Sequence, residues 1–183
     1  MSSKHVDDSA MLLDYGIYVP SQTIVLTGEV DEAMYNKLVM GITLIKHRKN
    51  GSTDITIELN STGGDWYSGI AIHDKIKSCP FPITIKVNGT AMSMASIILQ
   101  SADKRLISPG SSIMIHNGSE EIEGTPDNVM AWAKHSVQLC EQMYKIYAEA
   151  SGKSIKFWKS KCKKDFILTA DQAIKLGLAD GII

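Results

Sequence analysis

A mixed α/β fold built from repeated βαβ units is predicted by three features of the chain. Short runs rich in β-branched residues alternate with longer segments carrying apolar residues at helical spacing. Glycine, proline or asparagine breaks separate most of these runs, and no internal repeat or low-complexity linker interrupts them. Strands alternating with helices of this length pair in parallel through right-handed crossovers.

In chain order, TIVLTGEV (23–30) reads as the first strand. DEAMYNKLVMGITLIKHRKNG (31–51) follows as a helix, with Met34, Leu38, Ile42 and Ile45 on one face and a glycine stop. DITIELN (54–60) alternates as a buried strand, STGG (61–64) reads as a turn, and Trp66–Ile76 returns to helical spacing. Pro80 and Pro82 mark a loop before the strand ITIKVNG (83–89). AMSMASIILQSA (91–102) is expected to be a closely packed helix of small and apolar residues. KRLISPGSSIMIHNG (104–118) reads as a hairpin of two short strands around a Pro-Gly turn. A polar stretch, SEEIEGTPDN, then precedes a long helix from about 129 to 150. A short helix near 155–160, a break near 165–168 and a helix over 170–176 complete the pattern.

With 183 residues, the chain is long enough to bury a sizeable core without a metal or disulfide. Its formal net charge of −1 disfavours a nucleic-acid partner, whose binders carry a clear basic excess. The lysines of KSIKFWKSKCKKD (153–165) are interleaved with apolar residues, as on a solvated helix face. Cys79, Cys140 and Cys162 show neither CxxC nor Cys/His ligand spacing, so no metal site is expected, and free thiols fit a reducing compartment. The start, MSSKHVDDSAMLLDYG, reads as a mobile arm over 1–16 and not as a signal peptide. No apolar run approaches the roughly 20 residues that span a bilayer.

In parallel α/β folds, functional groups gather where strands end and helices begin. At LNSTGGDWYSG (59–69), consecutive glycines expose backbone amides beside a helix N-terminus. Such a place can hold an oxyanion or a phosphate, or be a plain tight turn. At VNGTAMSMAS (87–96), Ser93 follows a strand and opens a helix. That junction can lift a hydroxyl clear of the sheet, although small residues here also suit close packing. His116 leaves an alternating apolar strand, a position open to an ordinary edge residue or to a base. A serine hydroxyl needs such a base during attack, and the base needs a carboxylate to fix its tautomer. Chemistry alone leaves Asp165 one candidate among many acids.

Together these segments resemble the ClpP family, the proteolytic component of ATP-dependent Clp proteases. NSTGG (60–64) with GIAIHD (69–74) is similar to that family's NSPGG…GxxIYD region, GTAMSMAS (89–96) to its GxAASMGA segment, and SSIMIH (111–116) to its SRVMIH segment. IVLTGEVDE (24–32) resembles the opening of the family's core, and ILTADQAIKLGLADGII (167–183) its closing FLSAxEAxxYGLIDxI. The resemblance spans roughly residues 17–183 in the same order.

That resemblance implies a ClpP/crotonase-like α/β fold: a single peptidase domain over 17–183 whose head carries a protruding handle helix at about 125–151. It implies a catalytic triad of Ser93, His116 and Asp165, with the backbone N–H groups of Gly64 and Met94 forming an oxyanion hole. Gly63, Asp65, Asn117 and Gly118 fall on its substrate-binding segments. It further implies a serine endopeptidase without a cofactor, stacked as heptameric rings; the free thiols and the polar start fit a cytoplasmic location, and the departures from the family's pattern would suit an organellar or viral relative. Unfolded proteins or peptides would be its substrates and a separate AAA+ unfoldase its partner; no nucleic acid or membrane is expected. Departures are local. Thr62 stands at the family's proline, Met92 and Ala95 flank Ser93 where smaller residues are usual, and NGSEEIEG follows His116 in place of QPxGG. Lys163 and Lys164 occupy the place of an acid–arginine pair used in ring docking. The alternatives are a catalytically silent ring subunit, a related maturation peptidase, or acyl-CoA chemistry on the same fold.

Overall fold

The computed structural model describes residues 12, 14–47 and 54–183, so most of the arm expected over 1–16 and the end of the first helix beyond 47 lie outside the described residues. After a short strand β1 (Ile17–Tyr18) and a 3-10 turn (Val19–Ser21) come β2 (Thr23–Val30), α1 (Glu32–His47), β3 (Ile55–Gly64), α2 (Trp66–Lys77) and β4 (Ile83–Met92). Next come α3 (Met94–Leu99), β5 (Lys104–Ile107), β6 (Ser112–Ile115) and α4 (Pro126–Ser151). The chain continues through α5 (Ile155–Lys161), β7 (Phe166–Thr169), α6 (Ala170–Leu176) and β8 (Gly181–Ile182).

Among the described residues the strands form one sheet in the order β1-β2-β3-β4-β5-β8, with β6 branching from β4 and β7 lying on β6. The pairs β2–β3, β3–β4 and β4–β5 are parallel, as the βαβ expectation requires. Ile24, Leu26, Ile57, Leu59, Ile85 and Val87 are buried at alternating positions of these strands. Met34, Leu38, Ile42 and Ile45 form the inner face of α1, as their spacing predicts. Helix starts carry local caps: Asp31 accepts from the Met34 amide at 2.8 Å, and Thr169 closes a reciprocal box with Gln172 at the head of α6.

Four segments differ from the sequence expectation. STGG is the end of β3 and not a turn, because Gly63 and Gly64 continue the pairing with Glu29 and Val30 beyond a bulge. The helix expected from residue 91 begins at Met94, since Ala91 and Met92 are held in register by Ile113 and Met114 of β6. β5 and β6 are not a hairpin: each runs parallel to β4, β5 along Thr84–Val87 and β6 along Thr90–Met92. The sheet therefore forks at Asn88–Gly89. The break near 165–168 is largely β7, a strand that pairs antiparallel with β6.

The lysine-rich segment is partly engaged. Lys159 meets Glu141 at 2.6 Å, and the Lys161 ammonium sits 5.6 and 5.1 Å from the Phe157 and Phe166 ring centres. Arg105 joins β5 to the chain's last turns. It pairs with Asp180 and donates to the carbonyl of Gly177 at 2.9 Å. Burial acts to raise the Asp180 carboxyl, but the bonds from Arg105 outweigh it and leave it below the usual range.

Trp158 anchors α5 beneath α4: it is fully buried, packs against Tyr147 and Phe157, and donates its ring N–H to Ser151 at 3.0 Å. Trp158→Ala is expected to cost about 3–5 kcal/mol of stability through lost burial and the cavity left behind. A denaturant titration of the full chain checks this; a loss under about 1 kcal/mol would mean α5 repacks freely.

Candidate active site

Three strand ends meet at one place. β4 runs out at Met92, β6 ends at Ile115, and β7 begins at Phe166. The parallel register Met92↔Met114 continues into a backbone bond from the Ser93 amide to the Met114 carbonyl at 2.8 Å. On the other side of β6, Ile115 is paired with Phe166, so the next positions outward are His116 and Asp165. Sheet register thus brings together three residues far apart in sequence.

Ser93 takes φ 50° and ψ −122°, the backbone of the first central residue of a type II′ turn, where glycine is usual. A serine held there carries strain of about 1–3 kcal/mol. The turn ends the strand abruptly and aims the hydroxyl at His116. His116 Nε2 lies 2.9 Å from Ser93 Oγ, and its Nδ1 lies 3.2 Å from Asp165 Oδ1. With the ring proton on Nδ1 donated to the carboxylate, Nε2 offers its lone pair to the serine hydroxyl. The Asp165 side chain is 64% exposed, so its influence comes through this directed bond and not through a buried, unscreened charge.

Gly63 and Gly64, at the end of β3, lie beside this turn. A Cβ on Gly63 would stand 2.7 Å from Ser93 Cβ, 2.8 Å from the Met92 carbonyl and 3.0 Å from the Met94 amide nitrogen. Gly63 therefore packs behind Ser93, its amide bonded to Ser61 Oγ at 3.1 Å, while Gly64 lines the cleft. A Cβ on Gly64 would approach the Val30 carbonyl to 2.4 Å. Met94 is the first residue of α3, so its amide has no preceding helical turn to accept it.

A cleft of about 940 Å³ opens in front of Ser93, lined by Gly64, Asp65, Met94, His116, Asn117 and Gly118 among others. Asp65 caps α2, accepting from the Ser68 amide at 2.7 Å; the Ser68 contacts hold its carboxyl below the usual range. Asn117 donates its amide N–H to the Cys162 carbonyl at 3.0 Å and accepts from the Tyr144 hydroxyl at 2.6 Å, which ties the chain just after His116 to α4. Burial pushes the Tyr144 phenol up to about 12, so it stays a donor. Gly118 has φ +80° and open space around it. Across the cleft Tyr67 and His135 meet at 3.1 Å.

Sequence reasoning missed the contribution of α4. Cys140, Met143, Tyr144 and Tyr147 recur at helical spacing, and that stripe was the available signal. Met143, Tyr144 and Tyr147 are the buried residues of this helix. Among the described residues, no helix is long and apolar enough to cross a membrane.

The family model described as Clp protease matches residues 8–183. An ATP-dependent Clp protease proteolytic subunit of Deinococcus radiodurans is 29% identical over 174 residues, covering 92% of this chain and 85% of that protein. A protein of the same name from Ligilactobacillus salivarius is 30% identical over 174 residues, covering 92% of this chain and 88% of that protein. The mixed α/β architecture, with the sheet and helices α1 to α6 among the described residues, is consistent with the fold of this family. The match over nearly the whole length establishes that the chain belongs to the Clp protease family.

Proposed function

We propose that the chain is a serine endopeptidase subunit of a self-compartmentalised Clp-type protease, with Ser93, His116 and Asp165 as its triad. The observation that carries this is the hydrogen-bonded line from Ser93 Oγ through both His116 ring nitrogens to Asp165, at 2.9 and 3.2 Å. Ser93 Oγ attacks the peptide carbonyl while Nε2 takes its proton. The amides of Gly64 and Met94 then hold the oxyanion, a type of donor whose loss typically costs about 3 kcal/mol. His116 returns the proton to the leaving amine as the C–N bond breaks, leaving an acyl ester on Ser93. Water, deprotonated by His116, cleaves that ester and restores the serine hydroxyl.

Residues 17–183 act as one peptidase domain whose handle is α4. Substrate lies extended in the cleft between the Gly64–Asp65 backbone and the Asn117–Gly118 segment, adding a strand in the manner of edge recognition. Self-association into stacked rings is supported by the apolar side chains that α4 leaves exposed, Met130 at 72%, Trp132 at 52% and Val137 at 61%. The curated relatives are named ATP-dependent proteolytic subunits. This chain has no GxxxxGK[ST] run. A separate ATPase that delivers unfolded polypeptide fits both facts.

A fluorophosphonate probe tests the assignment. The full chain is expected to be labelled on Ser93, and Ser93→Ala to remain unlabelled at the same native mass. Intact wild-type protein that never labels, at any oligomeric state, would point to a silent ring subunit instead.

A further inference from the structure

The carbonyl of Ser93 receives two hydrogen bonds from one residue. The Ser96 amide donates to it at 3.0 Å and the Ser96 hydroxyl at 2.6 Å. A helical serine commonly back-bonds in this way to the residue three positions before it. Two further facts set this one apart. The carbonyl belongs to the residue whose backbone is strained into the II′ geometry, and the Ser96 hydroxyl also meets the Tyr147 hydroxyl of α4 at 2.6 Å. Ser96 and Tyr147 are 0% and 1% exposed, so no water competes for these bonds. The Ser96 hydroxyl has one hydrogen. If it is given to the Ser93 carbonyl, the remaining contact requires Tyr147 to donate, and in that arrangement both hydroxyls are satisfied. Burial raises the Tyr147 phenol far above its ordinary range, so it keeps its proton at any working pH.

We infer that Ser96 and Tyr147 are positioning residues for the nucleophile: Tyr147, reaching in from α4, orients the Ser96 hydroxyl so that it clamps the strained carbonyl of Ser93. The inference rests on Ser93 being the nucleophile. The clamp fixes ψ of Ser93, and with it the direction in which the Met94 amide points. Loosening it disturbs the aim of that amide and of Oγ together, both of which act in the transition state more than in substrate binding. The outer side of Tyr147 is backed by Trp158, ring centres 5.3 Å apart, which leaves the phenol little room to swing away.

The test uses the full, assembled chain with a fluorogenic peptide and follows kcat and KM separately for Tyr147→Phe, Ser96→Ala and the double variant. Tyr147→Phe is expected to lower kcat by roughly tenfold or more with KM within about twofold, the pattern of lost aim and not of lost binding. The double variant removes both hydroxyls and leaves no buried partner unpaired, so it keeps its fold even where Ser96→Ala does not. It is expected to remain as slow as Tyr147→Phe. A Tyr147→Phe or double variant that turns over at the wild-type kcat, beside an inactive Ser93→Ala, overturns the clamp alone. Hydrolysis that survives in Ser93→Ala overturns the nucleophile assignment and the clamp with it.

Discussion

His116→Ala is expected to lower the kcat for peptide hydrolysis by on the order of 10⁵–10⁶-fold while leaving the protein folded. The imidazole is the group at 2.9 Å from Ser93 Oγ. On the proposed triad, its loss leaves the hydroxyl to give its proton to water and the leaving amine without an acid. What remains is the contribution of binding and of the oxyanion donors, about 10³–10⁴ over the uncatalysed reaction. The fold is expected to be unaffected because His116 lies beyond the end of β6, its side chain 27% exposed, outside the hydrophobic core. Turnover of a peptide substrate, with circular dichroism and native mass recorded on the same sample, checks the expectation. A loss smaller than about tenfold in intact protein would mean that another group serves as base.

Gly63→Ala carries the second large effect, by a different route. The added methyl would overlap Ser93 Cβ at 2.7 Å and the Met92 carbonyl at 2.8 Å, and none of these neighbours is the free end of a flexible side chain. Gly63 also sits at φ +103°, where an L side chain is disfavoured. The methyl and its neighbours must separate by a few tenths of an ångström or more, at a cost of about 1–3 kcal/mol in stability. The piece displaced is the turn that carries Ser93, the proposed nucleophile, and a misplacement of about 1 Å can lower turnover by around a hundredfold. Kinetics and a denaturation midpoint measured together check both parts. Normal turnover in a normally stable Gly63→Ala would show that β3 and the Ser93 turn move independently.

Much of this architecture was legible in the sequence. The spacing of Met34, Leu38, Ile42 and Ile45 predicted the buried face of α1, and β2 was bounded correctly from its β-branched run. The errors have a common physical origin in tertiary pairing that local patterns do not record. Ala91 and Met92 suit a helix by composition, yet the neighbouring β6 holds them extended. The two glycines of STGG look like a turn until β2 supplies the strand beside them. β1 and β8, two residues each, carry no periodicity of their own.

The candidate site was legible in a different sense. That Ser93 and His116 leave strands could be read directly, but their proximity depends on β6 branching from β4, which no motif spacing reveals. Asp165 is one of 20 acidic residues, and resemblance singled it out where its chemistry could not. The Ser96–Tyr147 contact joins residues 51 positions apart and was not visible in either segment taken alone.

The fork in the sheet also bears on the order in which the proposed triad is assembled as the chain is made. Strands β2 to β5 pair with one another without β6 or β7, and a chain that has reached only β5 contains Ser93 but neither His116 nor Asp165. Those arrive only when 112–115 have docked on β4 and 166–169 have closed over them. On the proposed triad, a partly made chain that stops short of 166–169 cannot hydrolyse peptides by this route.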